Sequence, residues 1–118
     1  MTVQLPLPLS PDGEDATRDA SIARYLHLTR VEMPRIARAA PRRWPVREDH
    51  CFQRIILDAL CGGVWYERIP RPAYLHLSAE QAAEAVALCE AIIAGERDLY
   101  ELNAQSLRWR GKAPRQRP

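Results

Sequence analysis

The sequence predicts an all-α protein, a small bundle of four or five helices with a disordered N-terminal arm and a basic C-terminal tail. Three observations carry this reading. Apolar residues recur at helical spacing in two long segments, 49–61 and 78–94. Glycine stops both segments, at Gly62 with Gly63 and at Gly95. The one stretch that alternates bulky and polar residues, VWYERIPRPAYLHL, is cut by Pro70 and Pro72, which bars a regular central strand. With 118 residues the chain suffices for one modest core. We divide it into an arm over 1–14, a helical domain over 15–111 and a tail over 112–118.

Prolines 6, 8 and 11, alternating leucines and then SPDGED give the arm a composition that favours an extended, solvated chain. A helical pattern follows over 15–28, with Ile22, Tyr25 and Leu26 on one side. Thr29 and Glu32 have capping-box spacing, and Pro34 should kink the chain or reset the start of a helix over 34–40. In PRRWPVRED two prolines bracket Trp44, which we expect buried, locking this connector onto the next helix.

That next helix, DHCFQRIILDALC, organises the domain. Phe52, Ile55, Ile56, Ala59 and Leu60 draw its apolar stripe, Asp49 is placed to cap it, and Gln53 lies near the capping-box position. On the other face His50, Arg54 and Asp58 stack four residues apart beside Cys61. An extended, proline-braced crossover should follow. Ser78 with Gln81 forms a capping box for a second strong helix with the stripe Ala82, Ala85, Val86, Cys89, Ile92 and Ile93. Asp98 with Glu101 repeats the device for a third helix carrying Leu99, Leu102, Ser106 and Leu107, and WRGKAPRQRP ends the chain as a cationic tail.

Composition excludes some functions. No apolar run approaches the roughly 20 residues of a membrane helix, and the first ten residues lack the basic start and apolar core of a signal peptide. We expect a cytoplasmic protein with no membrane partner, in which Cys51, Cys61 and Cys89 stay reduced and pack as small hydrophobes. No two potential ligands among His50, Cys51, Cys61, His76 and Cys89 have zinc-knuckle spacing, and no phosphate-cradling glycine loop occurs, so neither metal nor cofactor is expected.

The column His50, Arg54 and Asp58 is the candidate polar site. His50 and Asp58 lie two helical turns apart, about 12 Å along the axis, so they cannot touch. An Arg54–Asp58 ion pair is expected instead, with His50 at the helix N-terminus, where the dipole disfavours its protonated form. The column lacks a nucleophile and an oxyanion donor, and it reads as a structural face or binding site before a catalytic one. A net charge of +2 hides two arginine-rich places, from which Arg35, Arg38, Arg42, Arg43, Arg110 and Lys112 are candidate contacts to DNA.

Gln4, Leu5, Pro6, Leu7, Pro8 and Leu9 spell QLPLPL. This resembles the short peptide by which bacterial replication and repair proteins bind the DNA sliding clamp, a pattern that starts with glutamine and ends with leucines or phenylalanine. The resemblance implies an extended peptide in an apolar cleft of the clamp. Leu7 and Leu9 would fill pockets, with Leu5 beside them, and Gln4 would hydrogen-bond at the entrance. Proline stands at the third position, where a small polar or acidic residue is commoner, and it lowers the entropy lost on binding. The function implied is a clamp-docking accessory protein of DNA replication or repair.

The region from His50 to Lys112 also resembles short bacterial proteins identified as GNAT-type acetyltransferases. That resemblance implies a small acyl-transfer enzyme with a site around His50, Arg54 and Asp58. The mixed sheet and the pyrophosphate loop Q/R-x-x-G-x-G/A of that acetyl-CoA fold have no counterpart in the residues, and no catalytic residue carries over. A structural protein-interaction module is a third reading.

Overall fold

The computed structural model describes residues 11–113. They form an all-α bundle: α1 (Pro11–His27), a π-helical turn (Leu28–Glu32), α2 (Met33–Ala39), α3 (Asp49–Cys61), a 3-10 turn (Trp65–Glu67), the single turn α4 (Ala73–His76), α5 (Ala79–Ile93) and α6 (Leu99–Trp109). No strand occurs among the described residues. The sequence motif QLPLPL and the last five residues of the basic tail lie outside them.

Residues 11–14, which composition assigned to the arm, belong to α1 instead. A proline as first helical residue gives up no needed N–H, and its fixed φ suits the turn it begins. The helix then runs on through Pro34 without a break. At that point the backbone widens into the π turn, where the N–H of Met33 reaches back to the carbonyl of Leu28. Such a wide turn is one of the few ways a helix admits a proline, whose missing N–H and ring disturb a regular ladder. Thr29 caps nothing. It is buried within the turn, donates to the Tyr25 carbonyl at 2.9 Å and accepts from Gln53 Nε2 at 3.1 Å. Gln53 therefore ties α3 to the π turn rather than closing a capping box.

α3 is the central element, packed against α2, the π turn, the 3-10 turn, α5 and α6. Phe52, Ile55 and Ile56 are fully buried as the stripe requires. Leu57 and Asp58 are also buried, whereas Ala59 and Leu60 are only partly so, because α6 and the 3-10 turn cover a second side of the helix. Asp49 does not cap α3. Glu48 holds the cap position without a side-chain bond, and Asp49, the first helical residue, accepts from the His50 N–H at 2.7 Å. Gly62 ends the helix in the left-handed region at φ 66°, which costs a glycine least. Trp44 is buried and meets the Phe52 ring edge-on at 5.6 Å, which fixes the connector to α3 as expected.

The crossover is less extended than its prolines imply, since it contains the 3-10 turn and α4. Arg18 of α1 donates to the carbonyls of Leu77 and Leu75 at 2.6 and 2.9 Å, so a side chain satisfies two acceptors at the end of α4. The Ser78–Gln81 capping box forms in both directions, at 3.0 and 2.9 Å. α5 then packs along α1 and against α3, with Ala82, Ala85, Leu88, Cys89 and Ile92 buried. Leu88 thus replaces Val86 and Ile93, which are only partly buried, in the expected stripe. Asp98 caps α6 by accepting from the Tyr100 N–H at 2.9 Å. The buried residues of α6 turn polar along its length, from Leu99 and Tyr100 to Asn103 and Ser106.

Candidate functional site

The expected column on α3 descends from solvent to core. The His50 side chain is 77% exposed, with Nδ1 3.5 Å from Asp49 Oδ1, whereas Asp58 is 0% exposed. Between them Arg54 is half-buried. The predicted Arg54–Asp58 ion pair does not form. Arg54 instead donates to Ser106 Oγ at 2.7 Å and to Asn103 Oδ1 at 2.8 Å. Asp58 takes its charge partner from the end of α6: Arg110 grips both carboxylate oxygens, Nε to Oδ2 at 2.8 Å and Nη2 to Oδ1 at 3.0 Å. Ser106 Oγ donates to Oδ2 at 2.6 Å and the Trp65 N–H to Oδ1 at 2.9 Å, so the buried carboxylate accepts four hydrogen bonds.

This network holds a buried charge with its lone pairs satisfied, the condition under which an interior carboxylate is tolerated. The hydrogen bond to Asp58 holds the Arg110 guanidinium above the ordinary arginine range. Burial pulls Arg54 below that range, and the positive charge of Arg110 adds to the effect. Asp58 therefore belongs to the scaffold. It joins α3, α6 and the crossover, and it is sealed from any ligand.

His50 and Arg54 have a different neighbour. A cavity of about 400 Å³ opens beside them, between α1, α3 and the crossover. Three arginines line it, Arg30 from the π turn, Arg54 from α3 and Arg71 from the crossover, together with His50 and Gln53. Trp65, Tyr74, Leu26, Leu57 and Pro72 supply apolar and aromatic wall. Among the described residues no carboxylate lines it. The Arg30 guanidinium lies 5.7 Å from the centre of the Tyr74 ring, and that of Arg71 lies 4.4 Å from Tyr66 and 5.9 Å from Trp65. Aromatic faces thus support two of the three cations.

Arg30, Arg71, Trp65 and Tyr74 were not candidates from sequence, because they come from segments that only folding brings together. The interleaving of aromatic and basic residues in VWYERIPRPAY was the one local signal. The candidate DNA contacts separate. Arg110 is committed to Asp58, and Arg43 donates to the Ile93 carbonyl at the end of α5 while its guanidinium lies 4.9 Å from the Trp44 ring. Arg35, Arg38, Arg42 and Lys112 are exposed.

Cys89 lies in the core and Cys61 packs against it. Burial pushes the Cys89 thiol up to about 12 and raises that of Cys61, the opposite of what a reactive thiolate needs. Among the described residues no three His, Cys, Asp or Glu side chains converge on a common point. No described helix is long and apolar enough to cross a membrane.

Fold and site together define a helical-bundle protein with a cationic, aromatic-walled cavity. Comparison with protein-family models, with curated proteins and with solved structures gives no match.

Proposed function

We propose that this chain is an accessory protein of DNA replication or repair that docks on a sliding clamp through residues 4–9 and presents its helical domain beside the clamp. The observation that carries this reading is QLPLPL itself. The peptide ends at Leu9 and α1 begins at Pro11, so one residue separates a docked peptide from the first helix, and the domain would be held close to the clamp. Exposed Arg35, Arg38, Arg42 and Lys112 are consistent with a neighbour as anionic as the duplex that a clamp encircles.

Calorimetric titration of the full chain into a bacterial sliding clamp tests the reading. Binding in the micromolar range is expected, and it should vanish when Leu7 and Leu9 are both changed to alanine. Heat that persists in that double variant, or no heat from the unaltered chain, would overturn it. The cavity beside His50 and Arg54 favours an additional ligand-binding role, which does not depend on the clamp.

A further inference from the structure

We propose that the cavity between α1, α3 and the crossover binds a nucleoside phosphate, its phosphate held by the guanidiniums of Arg30, Arg54 and Arg71 and its base lying against the aromatic wall. The charge of the cavity motivates this. Three arginines elsewhere in the domain sit with acids: Arg18 with Asp19 at 3.2 Å, Arg24 with Glu32 at 2.6 Å and Arg110 with Asp58 at 2.8 Å. In the cavity arginines from three separate segments line one space, and no described lining residue is a carboxylate. A hollow lined by arginines and by no acid favours an anion.

The number of cations speaks for a dianion. A single carboxylate would answer one guanidinium, whereas a phosphate monoester carries about −1.5 to −2 at neutral pH and offers three oxygens to planar, bidentate donors. The walls speak for a planar body. Trp65 and Tyr74 line the cavity, and Arg71 and Arg30 lie near their ring faces, an arrangement of rings and guanidiniums on which bases stack. Leu57 and Pro72 complete an apolar surface, and Gln53 offers an amide that can both donate and accept toward a base edge. The volume of about 400 Å³ suits one nucleotide and falls within the ordinary range for ligand pockets. Half-buried Arg54 is held by Ser106 and Asn103, so one of the three cations is fixed before any ligand arrives.

The same chemistry is offered by a free nucleotide and by the phosphorylated end of a single strand. The test titrates the full-length protein, by calorimetry, with thymidine 5′-monophosphate, thymidine, inorganic phosphate and a 5′-phosphorylated thymidine oligonucleotide. The monophosphate should bind at least about tenfold more tightly than thymidine or phosphate alone, because only it engages both halves of the cavity. Arg71→Ala should weaken the monophosphate by about tenfold, and so should Trp65→Leu, with helical circular dichroism unchanged in both. Arg38→Ala, at an exposed position of α2 outside the cavity, should leave it within about twofold. Tighter binding of the oligonucleotide than of the monophosphate would identify a strand end as the source, and the reverse order a free nucleotide. Thymidine binding as tightly as its monophosphate, or Arg71→Ala and Trp65→Leu binding it like the unaltered protein, would overturn the proposal. So would absence of binding by all four probes.

Discussion

Two arginines of this domain lie near the ring of Tyr66 in the crossover and end in opposite circumstances. Arg110 has its guanidinium 5.3 Å from the centre of the Tyr66 ring and both its forks on buried Asp58, in a contact only 16% exposed on the arginine side. Arg71 lies 4.4 Å from the same ring, is exposed, and borders a cavity with no carboxylate among its described lining residues. Tyr66 thus stands between a charge that folding has matched and a charge left for something else. The difference teaches where each belongs: a guanidinium with a buried acid is part of the scaffold, and a guanidinium held by a ring beside a hollow is part of a site.

Removing the shared acceptor should break the matched side most severely. Asp58→Ala strands the Arg110 guanidinium, the Ser106 hydroxyl and the Trp65 N–H together, and should cost about 3–5 kcal/mol in urea denaturation. A loss below about 1 kcal/mol would mean that the network contributes little and that the contrast between the two sides is empty. Arg110→Ala should cost less, about 2 kcal/mol, because Ser106 and Trp65 still serve the carboxylate and water can reach the partly exposed position. Arg71→Ala should change stability by less than about 0.5 kcal/mol in the same measurement, since no acid depends on it. If Arg71→Ala proved as costly as Arg110→Ala, Arg71 would be a structural residue and its place in a binding cavity incidental.

The same contrast explains what could be read in the residues before the fold was known. Local devices were legible: the Ser78–Gln81 box, the left-handed stop at Gly62, the stripe through Ala82, Ala85, Cys89 and Ile92, and the burial of Trp44 between two prolines. Each is decided within a turn or two of chain. The partner of Asp58 was not legible, because Arg54 stands one helical turn away and Arg110 stands 52 residues away. Sequence spacing favours the near candidate. Packing chose the far one, since α6 brings Ser106 and Asn103 to Arg54 and leaves the carboxylate to the arginine at its own end. The cavity was illegible for the same reason, with His50 and Arg54 visible on one helix and Arg30 and Arg71 supplied by others. The start of α1 was misplaced because Pro, Asp and Gly read as arm composition, although a proline can also open a helix.

The π turn at Leu28–Glu32 sets the phase between two halves of one long helix. A wider turn advances the chain through a smaller angle per residue, so α2 is rotated about its axis relative to an uninterrupted continuation of α1. Met33, Pro34 and Ala37 face inward and Arg35 and Arg38 outward as a result. The winding at this point therefore acts as an angular setting. Five residues in the wide turn sweep about the angle that four sweep in an α-helix, so deleting one residue from 28–32 would restore an ordinary α-helical repeat and leave α2 facing as it does. Straightening all five would instead turn α2 like a key by about a quarter turn, carrying its arginines toward the core and Ala37 toward water.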